Sequence, residues 1–396
     1  MNSQNAARTA PRLKISFNVR QYGILVALVV IVLLFQALTA GRLLMPGNVN
    51  NLIQQNAYVL ILAIGMVMVI IAGHIDLSVG SVVAMVGAVA AIAMQEWGLP
   101  WWVAVLLSLA CGAVIGAWQG FWIAYVGIPA FIVTLAGMLL FRGLTLVFLT
   151  GGTISGLPRP FIAIGSGWLP GVFGGILNHD ALTLMLGLLA CAFLFAERYR
   201  ARRNLRRLAL PAEPAGLYWG KYIGAVVAIM ALCWVLAGYN GTPIILVILG
   251  VLILAYSFVL NRTVFGRHIY AIGGNRFAAE MSGVNLRRVD FLIFVNMGVL
   301  AAVAGVVSTA RAGGAVASAG QNYELDAIAA AFIGGAAVQG GVGTVVGAVI
   351  GGLVMGVLNM GLSILAVDAA WQMAIKGLVL LLAVAFDIWN KRRTGV

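Results

Sequence analysis

Long apolar runs, separated by short polar breaks that hold nearly all of the charge, dominate this 396-residue chain. Hydrophobic residues make up 62% of it and charged residues only 9%, too little polar sequence to clothe a soluble protein of this length. Its natural solvent is therefore lipid, whose hydrocarbon core of about 30 Å takes ~20 apolar residues per helix. Lipid satisfies no backbone N–H or C=O group, so only helices and closed barrels span it. The runs are continuous, with no period-2 alternation, which selects helices over a barrel. The expected fold class is all-α, a polytopic helical membrane protein of about 12 spans. The 50 glycines point to a tightly packed bundle, because small residues let membrane helices approach closely.

The twelve runs cover about 22–44, 53–72, 77–95, 101–125, 129–149, 181–196, 222–238, 243–260, 290–310, 326–340, 344–366 and 371–389. Breaks fall at Pro46-Gly47-Asn48, Gly98-Leu99-Pro100, Gly127-Ile128-Pro129 and Asn240-Gly241-Thr242-Pro243, all turn-forming. The run 326–340 is short and glycine-interrupted, the pattern of a half-helix. One transmembrane domain is expected over 22–390, with tails at 1–21 and 391–396. The first run follows Arg8, Arg12, Lys14 and Arg20 and exceeds a signal-peptide core, so it reads as a retained anchor. Cys111, Cys191 and Cys233 all lie in apolar runs without metal-ligand spacing and read as small packing residues.

Lys and Arg set the orientation. With the N-terminus in the cytoplasm, nineteen of the 24 basic residues fall on that side. They lie in the N-terminal tail, the 197–221 loop, the 261–289 stretch, and Lys391, Arg392 and Arg393. Both termini are thus expected in the cytoplasm. The net charge of +13 is read as membrane topology, with no nucleic-acid partner. The stretch 261–289 has room for one or two short helices, and the Gly- and Pro-rich loop 150–180 is expected to coil over the external surface. A short echo, Val79-Gly80-Ser81-Val82-Val83 and Val342-Gly343-Thr344-Val345-Val346, opens a helix after a glycine-rich break each time.

Three segments carry candidate chemistry. In Ala72-Gly73-His74-Ile75-Asp76-Leu77-Ser78-Val79-Gly80-Ser81 an imidazole, a carboxylate and hydroxyls join two apolar runs. Such groups in a membrane usually face a cavity or a partner, so a broken helix lining a polar pathway is one reading. Asp76 as an N-cap for a helix beginning near Leu77 is the other, and both can hold. Tyr323-Glu324-Leu325-Asp326, ahead of the string Gly334-Gly335, Gly340-Gly341 and Gly343, reads either as an external mouth for a polyol or docking protein, or as a helix N-terminus carrying acids that its dipole favours. In Thr263 to Val284, Gly273-Gly274-Asn275 makes a turn, and Phe277 and Met281 share one face of the short helix after it. That helix fits a partner's groove; a basic loop on anionic lipid is the alternative.

No P-loop pattern, H-E-x-x-H or Cys/His cluster is present, so the chain carries no nucleotide or metal motif of its own. Its three histidines assemble no Ser-His-Asp arrangement, which leaves an intramembrane enzyme without a catalytic set. Asp76, Arg142, Lys376, Asp290 and Asp387 are the few ionisable groups in or beside the apolar runs, too few for a proton relay or an ion-coupled carrier.

Together these segments resemble the sugar-importing ABC permeases of the ribose/xylose/galactose type, from about residue 50 to the C-terminus. The family's G-G-I-D-L-S-V-G-S block is similar to Gly73 to Ser81, with His74 in place of the second Gly. Its G-R-x-I-Y-A-I-G-G-N block matches Gly266 to Asn275, and A-A-x-x-S-G-[IV] matches Ala278 to Val284. Y-E-L-D-A-I-A-A matches Tyr323 to Ala330, and G-G-x-G-T matches Gly340 to Thr344. The His74 form resembles the D-xylose branch. The resemblance implies a homodimeric permease in the bacterial inner membrane that is not itself an enzyme and binds no cofactor. A separate cytoplasmic ABC ATPase would consume ATP, and a periplasmic sugar-binding protein would deliver the cargo. It implies pathway roles for His74, Asp76 and Ser78, with His74 either bonding the sugar or a satisfied packing residue. Tyr323, Glu324 and Asp326 would form an external gate or docking surface. Gly266, Arg267, Gly273, Gly274, Asn275, Ala278, Ala279 and Gly283 would couple to the ATPase. Such permeases commonly have ten spans, so twelve require an inserted helix pair at about 181–240. Ribose, galactose, arabinose or a furanosyl compound as cargo, and a stand-alone carrier or channel, are the alternatives.

Overall fold

A computed structural model describes residues 19–171, 173–176, 179–208 and 214–394. Residues 1–18 of the expected N-terminal tail, 209–213 of the basic loop and 395–396 of the C-terminal tail lie outside the described residues.

The chain opens with α1 (Val19–Leu38), α2 (Pro46–Gln55), α3 (Ala57–Ile71), α4 (Val79–Gln95), α5 (Trp101–Phe121) and α6 (Ala130–Phe148). A π-helical turn, Trp122–Val126, extends α5. The connection after α6 holds β1 (Thr153–Ser155), α7 (Arg159–Ser166), β2 (Gly175–Ile176) and β3 (His179–Asp180). Three long helices follow, α8 (Ala181–Arg207), α9 (Ala215–Ala237) and α10 (Ile244–Arg262), then the short α11 (Val264–Gly274) and α12 (Arg276–Met281). The chain closes with α13 (Leu286–Ala312), β4 (Gly314–Val316), α14 (Tyr323–Ile333), α15 (Val345–Ile364) and α16 (Ala369–Thr394).

This is a polytopic helical membrane protein. Among the described residues seven helices are each long and apolar enough to cross a membrane, and α2 with α3, bent by 44°, would make an eighth if the pair is counted as one span. Each of the twelve expected runs holds a helix, but length alone does not carry all twelve across. The apolar parts of α1, α4 and α16 (Gly23–Leu38, Val79–Gln95 and Ala369–Ala385) are shorter, and α14 has 11 residues, the half-helix its glycines suggest. The shortfall at α4 and α14 has a local cause. Both helices border breaks, at 72–78 and 334–344, where the chain leaves helical geometry inside the apolar sequence.

The core is built around α13 and α3. Every residue of α3 except Tyr58 is buried, as expected of a helix apolar all round. α13 packs on α3, α4, α5 and α7. Its approach to α5 is backbone to backbone: a methyl on Gly112 or on Gly298 would overlap the other's carbonyl oxygen, the small-residue contact of membrane bundles. α8 and α9 stand apart from this core and pack mainly on each other.

The 150–180 connection is more ordered than its composition suggests. Arg159-Pro160 starts α7 with proline in the first turn, where its missing N–H costs nothing. Phe161 is fully buried, and the Gly165 backbone lies on Val307 O and Arg311 N of α13. β1 pairs antiparallel with β4, Thr153 opposite Val316, and ties the far ends of α6 and α13 together.

Candidate functional site

The α3–α4 break is held by side chains. Gly73 turns the chain with φ +83°, a conformation glycine adopts without strain. Asp76 is 2% exposed. Its Oδ1 accepts from the Ser78 N–H at 2.8 Å and from the Ser78 hydroxyl at 2.7 Å. Gln119 Nε2 of α5 donates to Ser78 Oγ at 2.7 Å. The expected cap is therefore displaced by two residues. α4 starts at Val79, Ser78 holds the cap position without a side-chain bond of its own, and Asp76 closes a tight turn ahead of it. An unpaired carboxylate here would be costly, and satisfying a buried polar group this way is the usual remedy.

His74 points elsewhere. Its Nε2 lies 3.3 Å from Asp290 Oδ1 on α13, and Asp290, 1% exposed, also pairs with the guanidinium of Arg276, the first residue of α12. The break, α13 and α12 are thus joined through three side chains. The structure brings Asp76 and Ser78 together and leaves His74 outside their cluster.

Tyr323, Glu324 and Asp326 sit in the first turn of α14. Asp326 is 2% exposed, accepts from the Tyr58 hydroxyl at 2.9 Å and lies 3.2 Å from Lys376 Nζ on α16. The rings of Tyr58 and Tyr323 stack with centroids 3.5 Å apart. Just upstream, Arg142 of α6 donates to the carbonyls of Ala317 and Ala319 at 2.9 and 2.5 Å, fixing the descent of the chain towards α14. The first turn of α4 meets this segment: the Gly80 backbone packs on Gly320 O and the Glu324 carboxylate. The Asp76–Ser78 turn and the Tyr323–Asp326 turn are neighbours through that contact.

The 263–284 segment folds as two capped helices. Thr263 Oγ1 caps α11 through the Gly266 N–H at 3.2 Å, and Asn275 Oδ1 caps α12 through the Ala278 N–H at 2.9 Å. Gly266 lets α11 turn back on α10, since a Cβ there would overlap the carbonyls of Val259 and Leu260. Ala279 faces inward, while Phe277 and Met281 are 71% and 69% exposed, an apolar pair standing off the bundle. Arg267, Gly274, Ala278 and Gly283 are exposed beside them or in the turns between.

Gly273 joins this segment to both breaks. A Cβ on it would overlap Ile71 O and Gly341 N, and Gly341 N–H donates to Ile71 O at 2.8 Å. The Tyr270 hydroxyl donates to Gly343 O at 2.7 Å. Burial pushes the Tyr270 phenol above its ordinary pKa, so the donor keeps its proton. Sequence reasoning singled out Asp290, Arg142 and Lys376 as ionisable but not their partners. Tyr58, Gln119 and Arg276 gave no local signal, because what distinguishes them is a contact with a distant helix. Among the described residues no group of His, Cys, Asp and Glu could hold a metal ion.

Residues 48–384 match the family model described as branched-chain amino acid transport system / permease component. The chain belongs to this family of transport permeases. It is 42% identical to the xylose transport system permease protein XylH of Haemophilus influenzae over 96% of this chain and 98% of that one. It is 41% identical to XylH of Escherichia coli K12 over 96% and 94%, and 34% identical to the E. coli K12 ribose import permease protein RbsC over 93% of each. No solved structure matches it. The resemblance drawn from five sequence blocks therefore holds over nearly the whole length.

Proposed function

We propose that this chain is the membrane permease of an ATP-driven monosaccharide importer and that its cargo is D-xylose. The observation that carries this is the identity of 42% over 96% of the chain to a xylose permease, against 34% to a ribose permease. The family description names amino-acid transport, but these near-full-length relatives are sugar permeases, which favours a sugar. Ribose is the second reading.

In this reading the chain works as a homodimer in the bacterial inner membrane. A cytoplasmic ABC ATPase drives it, a periplasmic binding protein loads it, and the chain itself binds no cofactor. All twelve helical runs cross or enter the membrane, with α8 and α9 the inserted pair. Both termini face the cytoplasm. The positive-inside rule supports this, because the basic end of α8, the α10–α12 turn and the Arg287-Arg288 start of α13 then share one side, with Arg262 of α10 3.9 Å from Glu197 of α8. α11 and α12, from Gly266 to Gly283, seat in the ATPase with Phe277 and Met281 as the apolar contact. Movement there reaches the α3–α4 break through Arg276, Asp290 and His74, and the α14–α15 break through Gly273. Asp76 and Ser78 shape the pathway at the first break. Tyr323, Glu324 and Asp326 form the external gate.

The test is uptake of labelled D-xylose into vesicles holding this chain, with its ATPase, its binding protein and ATP each added or withheld. Uptake that needs all of them, and that excess ribose leaves intact, is expected. Competition by ribose moves the cargo to the second reading. Uptake by the chain alone overturns the ATP-driven reading.

A further inference from the structure

A pocket of about 170 Å³ lies between α14, α15 and α16. Asn322, Asp326 and Lys376 bring polar groups to its lining, and Leu325, Ala329, Met355, Met373 and Leu380 bring apolar ones. An engineered protein cavity of about 150 Å³ takes up benzene, so this space suits one six-membered ring and little more. That mixture of polar and apolar groups suits a pyranose, which carries hydroxyls around its rim and C–H groups on its faces. A carboxylate accepts, an ammonium donates, and a carboxamide does both. The thioethers and the leucine offer an adaptable surface to the C–H face.

The charges say what fills the pocket. Ionised side chains in membrane segments face the bundle interior or a water-filled cavity, because acyl chains cannot solvate them. Asp326 is held from behind by the Tyr58 hydroxyl at 2.9 Å. Lys376, 3.2 Å from it, keeps 23% of its side chain exposed against 3% for Asp326, so the ammonium is the more accessible of the pair. Asn322, fixed at φ +64°, turns its amide onto Met373 Sδ at 3.5 Å, a weak acceptor that a hydroxyl would readily replace. We propose that this pocket is a resting site for a single monosaccharide ring as it passes through the permease. The inference rests on the sugar-import reading above and adds a place within the chain where the cargo is held.

Gly377 gives a clean handle. It lines the pocket, and nothing lies within 4 Å of where its Cβ would stand, so a side chain enters open space without disturbing the backbone. In the full importer, with ATPase and binding protein in proteoliposomes, Gly377→Leu is expected to cut xylose uptake at least tenfold. ATP hydrolysis stimulated by the loaded binding protein should persist. In a background with Cys111, Cys191 and Cys233 changed to alanine, D-xylose is expected to slow N-ethylmaleimide labelling of Gly377→Cys severalfold, and a sugar that is not transported should not. Wild-type uptake by Gly377→Leu, together with labelling that xylose leaves unchanged, overturns the pocket and leaves the importer reading standing. Oxidative cross-linking of Gly377→Cys between two copies, indifferent to sugar, makes the pocket an interface and overturns it too. Absence of uptake by the unsubstituted importer overturns the function reading, and the pocket with it.

Discussion

The breaks at 72–78 and 334–344 are joined where Gly341 meets Ile71, the last residue of α3, yet one is held mainly by side chains and the other mainly by backbone. In the first, Asp76 gathers the Ser78 N–H and O–H, Gln119 reaches Ser78, and His74 reaches Asp290. In the second, Gly341 bonds directly to Ile71, Gly273 lies flat against both, and Thr344 Oγ1 caps α15 through the Gly347 N–H at 3.0 Å. A break of the first kind fails when a polar partner is lost and survives an isosteric exchange. A break of the second kind fails on a single methyl group.

The sharpest way to break the contrast is Gly273→Ala. The added methyl meets backbone on both sides, which cannot rotate away. Overpacking of this sort costs about 1–3 kcal/mol, and the backbone contact puts Gly273 at the upper end. Uptake should fall at least tenfold and the melting temperature of the detergent-solubilised permease should drop. Gly274→Ala is the control, since nothing lies within 4 Å of its Cβ position, and equal damage from both would refute the steric account.

Asp76→Ala comes next. It strands the buried Ser78 donors at a cost of about 1–3 kcal/mol, read as a lower melting temperature and reduced uptake. Asp76→Asn keeps an oxygen in the same place and should stay within about twofold of wild-type uptake, with stability changed by about 0.5 kcal/mol or less on the scale of a retained hydrogen bond. A severe loss with Asn would mean that the charge itself is needed in the pathway. Tyr270→Phe removes one hydrogen bond to the second break, worth about 1 kcal/mol. Differential scanning against the wild type should register it with uptake only mildly lowered. The smallest effect is expected from His74→Ala, because Asp290 keeps Arg276. A stability change below about 1 kcal/mol, seen as a small shift in melting temperature, is expected, and a larger one would make His74 an essential strut.

Much of this was legible because lipid leaves a chain few choices. Run length, turn residues and the basic loops marked the long helices, the two breaks and a stretch after α10 with room for one or two short helices. The sequence did not indicate which side of each helix meets which neighbour. α3 is apolar on every face, so its pattern carries no direction, and its packing emerges only with α13, α14 and α15 around it. The partners at the sites are equally invisible. Tyr58 and Asp326 are 268 residues apart, and His74 and Asp290 are 216. The loop around Phe161 was misjudged because its glycines and prolines speak of turns, while one buried aromatic and a proline at a helix start decide the outcome.

The two ends of the α8–α9 hairpin meet. Asp180 Oδ2 accepts from the Thr183 N–H at 2.9 Å, Thr183 Oγ1 lies 2.9 Å from Thr242 Oγ1, and Trp168 bridges to Pro243. Joining residue 180 to residue 242 would therefore close almost no gap, and the entropy of closing so short a connection is small. Both helices are long and apolar enough to cross a membrane, and a pair that crosses and returns can be removed without turning the later helices over. The near-closed ends make this the one point where two helices could be gained or lost without disturbing the core around α3 and α13.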